Sequence, residues 1–166
     1  MQTDPTINLR PTTIHDLSFL REMIYEAIHC ADGDRPSIDE TLARPAIAML
    51  TDGWGREGDW GLVAEADDGT PIGAAWCRSW TAGHHAFGYV ADDIPEVSIA
   101  LTRGRRERGL GTTLLQALLN LARTDGLAKL SLAVEQTNLR AQHVYGNLGF
   151  SRVETTAEDY IMVVNL

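Results

Sequence analysis

The stretch Arg103-Gly104-Arg105-Arg106-Glu107-Arg108-Gly109-Leu110-Gly111-Thr112-Thr113 decides how this chain is organised. Four arginines fall within six residues of it, although the whole chain of 166 residues carries a formal net charge of −9. Its three glycines let a ligand approach the backbone closely. An apolar strand precedes the stretch and a helix follows it, so unpaired helix amides and a positive dipole end lie there. The pattern predicts a phosphate or pyrophosphate site, and a solvated basic loop capped by glycines is the alternative.

A second motif follows about thirty residues later and runs Asn138-Leu139-Arg140-Ala141-Gln142-His143-Val144-Tyr145-Gly146-Asn147-Leu148-Gly149-Phe150. It fits the pattern N-x-x-A-x-x-x-Y-x-x-x-G-F, while Arg106, Gly109 and Gly111 fit R-x-x-G-x-G. In this order and at this spacing, the two motifs resemble those of the GNAT superfamily of acyl-coenzyme A-dependent N-acyltransferases. The resemblance is sharp over residues 96–155 and elsewhere rests on the order of elements alone.

Hydrophobic periodicity predicts the order β-α-α-β-β-β-α-β-α-β-β. Helices are expected over about 15–29 and 37–49, the second kinked or split at Pro45, and residues 67–70 predict a hairpin turn. A strand, a helix and a strand over 96–134 imply a parallel pair with a right-handed crossover. The resemblance implies an α+β fold in one domain spanning residues 1–166. Its sheet would be mixed and mostly antiparallel, with about six or seven strands splayed at one parallel pair and flanked by about four helices.

Composition excludes several classes of protein. No apolar run approaches the ~20 residues that a membrane-spanning helix needs, and the N-terminus lacks a signal pattern, so we expect a cytoplasmic protein without a membrane partner. The acidic balance disfavours nucleic-acid binding and permits a cationic substrate, although acidity that serves only solubility is the alternative. The two cysteines, Cys30 and Cys77, lack metal-ligand spacing and are predicted to be buried free thiols.

The resemblance implies acetyl-coenzyme A as the acyl donor. Amides of the glycine-rich loop bind the pyrophosphate in that family, and the strand before the loop holds the pantetheine arm like an added strand. The residues that match the loop are Arg106, Glu107, Arg108, Gly109, Leu110, Gly111 and Thr112. The residues that match the strand are Ile99, Ala100 and Leu101. Arg103 stands where many relatives have proline, which should alter the entry to the loop and leave its amides unchanged.

The second motif supplies a candidate acid. Asn138, Ala141 and Tyr145 are spaced three and four residues apart, so they share one helix face. The resemblance implies that Asn138 bonds the pantetheine amide, that Ala141 leaves room, and that Tyr145 directs its hydroxyl at the sulfur. A phenol with a pKa of about 10 is reasonably matched to a thiolate whose pKa is about 8.5. Tyr145 is therefore the general-acid candidate, and a tyrosine that only anchors the helix is the alternative.

The base is less sharply defined. A primary amine has a pKa of about 10, so an acceptor must take its proton, directly or through water. Glu96 opens the strand beside the donor, where many relatives carry a carboxylate, and a solvated strand-end glutamate is the alternative. Asp92, Asp93, His84 and His85 are further candidates. The histidine pair lacks additional ligands at suitable spacing, so no metal is predicted.

The predicted function is an N-acetyltransferase that moves acetyl from acetyl-coenzyme A to a primary amine in a ternary complex. Neither cysteine lies in a nucleophile motif, which agrees with direct transfer. The acceptor is expected to be a small-molecule or peptide amine. Six aromatic residues are candidates for its pocket, with core packing as the alternative: Trp54, Trp60, Trp76, Trp80, Phe87 and Tyr89.

Two other functions compete with this prediction. One is a non-catalytic acyl-coenzyme A sensor or interaction module on the same fold, because fold alone does not establish activity. The other is a dinucleotide loop, which is disfavoured because the third glycine of G-x-G-x-x-G would fall at Leu114. Dimers are common in the resembled family, which makes a homodimer an expectation by analogy.

Overall fold

The computed structural model describes residues 7–28, 35–105 and 109–166. Its strands are β1 (Asn8–Pro11), β2 (Trp60–Glu65), β3 (Pro71–Arg78), β4 (Glu96–Leu101), β5 (Lys129–Glu135), β6 (Ser151–Thr155) and β7 (Asp159–Asn165). A 3₁₀ turn at Ile14–Asp16 precedes the helices α1 (Leu17–Ala27), α2 (Ile38–Leu42), α3 (Pro45–Ala48), α4 (Leu110–Thr124) and α5 (Leu139–Asn147). The strands form one sheet in the order β1-β2-β3-β4-β5-β7-β6. Among the described helices, none combines the length and apolar character that a bilayer crossing requires.

The predicted α+β architecture is confirmed. All the strand pairs are antiparallel except β4 with β5, which is the predicted parallel pair. The described ranges contain five α-helices instead of about four, because Pro45 splits the predicted second helix. Arg44 takes an extended conformation before Pro45, and proline then occupies the first position of α3, where its missing N–H does no harm.

Both predicted capping boxes form. The Thr13 hydroxyl accepts from the His15 N–H, and the Asp16 carboxylate accepts from the Thr13 N–H at 2.7 Å. At the start of α2, the Ser37 hydroxyl accepts from the Glu40 backbone N–H, and the Glu40 carboxylate accepts from the Ser37 backbone N–H. Such caps satisfy helix amides that would otherwise lack partners.

Two apolar layers cover the sheet. Alternate residues of β3 face opposite sides, so Ala75 and Cys77 pack toward α4 while Ala74 and Trp76 pack toward α1 and α3. The apolar stripe of α4 is buried as Leu110, Leu114, Leu115, Leu118, Leu119 and Ala122. Cys77 is a buried free thiol as predicted, whereas Cys30 lies outside the described residues.

The parallel pair separates immediately after it forms. β4 and β5 are in register at Glu96 and Ser131, where the Ser131 N–H donates to the Pro95 carbonyl at 3.0 Å. β4 meanwhile stays paired with β3 along its whole length, up to Leu101 opposite Gly73. The edge of β4 that faces β5 is therefore open beyond Glu96, and this open edge positions the candidate site.

Candidate active site

Two adjoining cavities occupy the splay between β4 and β5. The Glu96 cavity has a volume of about 400 Å³ and is lined by the start of β4, the end of β5 and residues of α1 and α3. The Gly111 cavity has a volume of about 350 Å³ and is lined by the end of β4, the start of α4 and one face of α5. Both cavities are lined by Ala27, Ile28, Ile99, Asn138 and Tyr145, so they join at these residues.

The predicted strand residues Ile99, Ala100 and Leu101 line the Gly111 cavity together with Gly111 itself. Their strand edge is the open one, which can pair with the amides of an extended ligand. Gly109 caps α4 with φ of 71°, a left-handed conformation that favours glycine, and it provides no side-chain cap for the helix. The first amides of α4 therefore lack an intrahelical partner and, with the helix dipole, favour an anion.

The remaining predicted loop residues differ in placement. Leu110 is buried in the core and Thr112 is exposed on the first turn of α4. Arg106, Glu107 and Arg108 lie outside the described residues, so their predicted contacts with a pyrophosphate stay predictions. Arg103 lies 3.6 Å from Glu26 of α1, which brings the entry of the loop against the helix beside the Gly111 cavity.

Asn138 takes a position that the motif alone did not reveal. It is the N-cap of α5, and its Oδ1 accepts from the Ala141 N–H at 3.1 Å. Its Nδ2 has no hydrogen-bond partner within the described ranges, so two donors remain for a ligand in either cavity. Asn138, Ala141 and Tyr145 all line the Gly111 cavity, which is the shared face that the spacing predicted.

Tyr145 lies where the two cavities meet. Its ring packs against Phe150 with centroids 5.9 Å apart and leaves the side chain half-buried. Burial raises the pKa of Tyr145 to about 12, because the phenolate would lose its hydration. The phenol is therefore a neutral hydrogen-bond donor throughout the physiological pH range.

Glu96 is a buried carboxylate with only 5% of its surface exposed, so the interpretation as a solvated strand-end glutamate is wrong. Its Oε2 accepts from the Trp80 indole N–H and its Oε1 from the Gly88 backbone N–H, both at 2.8 Å. Burial raises the pKa of Glu96 to about 7, and the two N–H donors and nearby His85 oppose that shift. A group that exchanges a proton near neutrality thus lines the cavity.

The other base candidates lie outside both cavities. Asp92 and Asp93 are exposed, and Asp92 accepts a hydrogen bond from the Tyr89 hydroxyl. His85 stacks on Tyr89, and His84 makes an edge-on contact with the indole ring of Trp80. Within the part of the chain that the structure describes, no three His, Cys, Asp or Glu side chains are grouped so that they could hold a metal ion.

Of the six aromatic candidates, all of which the structure describes, Phe87 lines the Glu96 cavity, Trp60 and Tyr89 line neither cavity, and Trp54, Trp76 and Trp80 are buried, as the alternative of core packing predicts. Trp54 and Trp76 are core residues whose indole N–H groups donate to the carbonyls of Thr13 and Leu50. Trp80 is also buried, but its indole N–H reaches Glu96. This link was missed by sequence reasoning, since no local motif pairs a tryptophan with a glutamate sixteen residues away.

Charged residues around the Glu96 cavity were also missed. Among the described residues that line it, four are acidic and one is basic: Glu96, Glu135, Glu158, Asp159 and Arg44. The register of β5 with β7 places Glu135 directly opposite Asp159, so two carboxylates share one face there. Burial raises the pKa of Asp159, and the neighbouring Glu158 carboxylate raises it further.

An open strand edge, the N-terminus of α4 and a buried carboxylate therefore lie together at the splay between β4 and β5. The chain belongs to the acetyltransferase (GNAT) family, whose sequence profile matches residues 22–150. It is also 28% identical over 139 residues to the streptothricin acetyltransferase of Streptomyces lavendulae, a match that covers 82% of this chain and 72% of that one.

Solved structures share the whole fold. The PaiA N-acetyltransferase from Thermoplasma acidophilum, in complex with coenzyme A, has a TM-score of 0.71 at 21% identity, covering 97% of this chain and 99% of its own. The phosphinothricin acetyltransferase from Sinorhizobium meliloti, in complex with acetyl-coenzyme A, has a TM-score of 0.69 at 20% identity, with 97% and 89% covered. At these identities the similarity establishes the fold, and the family profile establishes the family.

Proposed function

We propose that this protein is an N-acetyltransferase that moves the acetyl group of acetyl-coenzyme A directly to a primary amine. The observation that carries the proposal is that Glu96 and Tyr145, one buried carboxylate and one phenol, line the same cavity. That cavity joins the Gly111 cavity at Tyr145, so a thioester held in one would meet an amine held in the other. Membership of the acetyltransferase family and two relatives with coenzyme A or acetyl-coenzyme A bound support the proposal.

In this proposal the Gly111 cavity holds the donor. The pantetheine amides pair with the open edge of β4 at Ile99–Leu101, and Asn138 Nδ2 donates to a pantetheine carbonyl. The pyrophosphate lies at the start of α4, where the free amides and the dipole favour a negative charge. The acetyl carbon then lies near Tyr145, at the entrance to the Glu96 cavity.

The reaction proceeds in one ternary complex. Glu96 takes a proton from the acceptor ammonium, directly or through one water, and the free amine attacks the thioester carbonyl carbon. The tetrahedral intermediate collapses, the C–S bond breaks, and the sulfur takes a proton from Tyr145 to leave as the thiol. The attacking nitrogen gives up its second proton, which restores Tyr145 through solvent, and Glu96 releases its own proton to solvent, so the products are an amide, coenzyme A and one proton. A base with a pKa of about 7 suits this task near neutral pH.

The raised pKa of Tyr145 weakens its match to a thiolate in water. A leaving sulfur at the junction of the cavities is itself shielded from water, and such shielding also raises the pKa of a thiol. We therefore expect Tyr145 to stabilise the departing sulfur by a hydrogen bond first and to complete the proton transfer as the C–S bond breaks.

Replacing Tyr145 with phenylalanine should lower kcat by roughly ten- to a thousandfold, because the departing thiolate loses its proton donor. The Kd for acetyl-coenzyme A should stay nearly unchanged, because the ring and the helix remain. Steady-state thiol release gives kcat and calorimetric titration gives the Kd. The matched control is Tyr160→Phe, since Tyr160 packs under the Arg152 guanidinium and lines neither cavity. Unchanged turnover in Tyr145→Phe would remove this residue from the mechanism.

The acidic lining of the Glu96 cavity favours acceptors that carry a second positive charge. We expect a terminal diamine to have a kcat/KM several-fold to about tenfold above that of the monoamine of equal chain length. The advantage should shrink as ionic strength rises, because salt screens exposed charges. The measurement is kcat/KM for each pair of amines at low and high salt. Equal values for diamine and monoamine would contradict the attraction.

The test of the function itself is the release of free thiol from acetyl-coenzyme A in the presence of a panel of amines. The panel contains diamines, polyamines, amino acids, aminoglycosides, lysine peptides and streptothricin, the last because the Streptomyces relative is a streptothricin acetyltransferase. Release that depends on one class of acceptor, with a mass gain of one acetyl group, would support the proposal. Tight binding of acetyl-coenzyme A without release to any acceptor would favour the non-catalytic sensor.

A further inference from the structure

Both oxygens of the Glu96 carboxylate are held by fixed donors. The Trp80 indole N–H and the Gly88 backbone N–H each donate over 2.8 Å, one to each oxygen. A carboxylate held at both oxygens cannot rotate without breaking one bond or both. Because each carboxylate oxygen has two lone pairs, each retains one for a further hydrogen bond.

Gly88 reaches Glu96 because it has no side chain. A Cβ at this position would lie 2.8 Å from each of three atoms, namely Glu96 Oε1, the Ala133 nitrogen and the Leu132 carbonyl carbon. Two of these atoms are backbone of β5, which cannot move aside easily. The loop over residues 81–95 thus passes directly against β5 at the splay and delivers an N–H to Glu96.

Two arginine side chains contact the ring of Trp80. The Arg56 and Arg78 guanidinium carbons lie 4.7 Å and 5.7 Å from the centroid of its ring. Both guanidinium groups bond the buried side chain of Asp59, Arg78 by two bonds at 3.0 Å and Arg56, whose side chain is 39% exposed, by one bond at 3.3 Å. Two cations near an indole attract its electron-rich face and hold the ring in place.

We propose that Trp80 and Gly88 are positioning residues of the acyl-transfer reaction, which fix the Glu96 carboxylate so that its remaining lone pairs are presented to the acceptor amine. This inference rests on the proposed function, in which Glu96 is the base. It goes further by assigning the loop over residues 81–95 a part in catalysis through one backbone N–H.

Other groups near Glu96 bear on its ionisation. His85 lowers the pKa of Glu96, whereas burial and then the Glu96 charge raise the pKa of the Cys77 thiol. Arg78, opposite Glu96 on β3, is paired with Asp59. The remaining charged or titratable groups that line its cavity are Arg44, Glu135, Tyr145, Glu158 and Asp159. None of these groups is itself substituted when Trp80 or Gly88 is changed, so a shift of the pH profile that is common to both variants would report the loss of the two donors.

The first test is Trp80→Phe, which keeps a ring and removes the N–H. Loss of a donor that favours the carboxylate should raise the pKa of Glu96, so the acidic limb of kcat/KM should move up by roughly one pH unit. At pH 7, kcat should fall about tenfold or more while the Kd for acetyl-coenzyme A is unchanged. The matched control is Trp54→Phe, which removes an indole N–H that donates to Thr13 and lies under the same Arg78 guanidinium. In this control, the acidic limb of the kcat/KM profile should have the same midpoint pH as in wild type.

The second test is Gly88→Ala, which crowds Glu96 and β5 and moves the backbone N–H away from the carboxylate. We expect a loss of at least tenfold in kcat/KM and an upward shift of the same limb. Gly83→Ala is the control in the same loop, because a Cβ there has nothing within 4 Å. Thermal unfolding of all four variants shows whether each is folded at the assay temperature.

The outcomes separate this inference from the function on which it rests. Loss of activity together with an upward shift of the limb, in both test variants and neither control, supports positioning. Test variants that behave like their controls, or that lose activity with the limb at the wild-type pH, overturn it. The proposed function is judged by a different variant, since an unchanged rate in Glu96→Gln would reject the base itself.

Discussion

Replacing Glu96 with glutamine should lower kcat/KM at pH 7 by about a hundred- to ten-thousandfold. Glutamine keeps the size of the side chain and cannot accept a proton, so the acceptor ammonium loses its base. The side chain is buried and accepts an N–H bond at each oxygen, of which glutamine can keep only one, so thermal unfolding is needed to show that the variant is folded. Thiol release at saturating acetyl-coenzyme A measures the rate, and calorimetric titration checks that donor binding is retained.

The proposed role of Glu96 also predicts how kcat/KM depends on pH. With a pKa of about 7 for Glu96, wild-type kcat/KM should rise with pH through about 7, as the carboxyl loses its proton and becomes a base. The glutamine variant should lack this limb and should keep rising toward pH 10, where the amine loses its own proton. The ratio of wild-type kcat/KM to that of Glu96→Gln should therefore decrease as pH increases.

Glu154→Gln is the matched control, since Glu154 is an exposed glutamate on β6. It makes the same change of charge at a residue that lines neither cavity and should leave kcat/KM within about threefold of wild type. A Glu96→Gln protein with wild-type kcat/KM at pH 7 would exclude Glu96 as the base and would direct attention to a water held by other groups of the cavity.

The fold was accessible from the sequence because its signals are local. Thr13 with Asp16 and Ser37 with Glu40 each place a cap and an acid at fixed spacing, and the structure has both boxes. The residue before Pro45 is forced out of the helical conformation by a neighbour in sequence, so the split between α2 and α3 was predictable. Such features depend on residues a few positions apart, and a single sequence contains them in full.

Part of the lining of the Gly111 cavity was accessible from the sequence for a related reason. The loop before α4 and the motif of α5 are continuous in sequence, and the structure brings Gly111, Asn138 and Tyr145 to one cavity. The capping role of Asn138 was not foreseen, although Asn at the start of a helix is a common cap. The motif predicted which residues lie together. The structure was needed to show that Asn138 Oδ1 is already hydrogen-bonded within α5.

The charged residues that line the Glu96 cavity around Glu96 itself depend on long-range contacts and could not be predicted. Glu135 and Asp159 face one cavity because of the register between β5 and β7, and Arg44 reaches it from a short helix remote in sequence. The bond from Gly88 to Glu96 requires the loop to pass against β5 within contact distance of its backbone. None of these positions has a neighbour in sequence that signals the contact.

The largest loss of stability is expected at Asp59, which lies at the centre of a buried ion pair. Arg78 donates to both Asp59 oxygens at 3.0 Å, and the two side chains are only 2% and 1% exposed. Replacing Asp59 with asparagine leaves the Arg78 charge buried without a counter-charge. We expect the free energy of unfolding to fall by about 3 kcal/mol or more, a large share of the 5–15 kcal/mol typical of a domain. Urea denaturation with a two-state fit measures the change.

Asp52→Asn makes the same substitution in an exposed ion pair with Arg21 and is the matched control. Exposed pairs are screened by water and contribute little, so this variant should lose less than about 1 kcal/mol. Because the Arg78 guanidinium lies near the Trp80 ring, Asp59→Asn should also disturb the support of Glu96 and lower turnover below its unfolding transition. A loss of stability no greater than that of Asp52→Asn would mean that the carbonyl groups of Met49 and Asp52, which Arg78 also contacts, are enough to hold its charge.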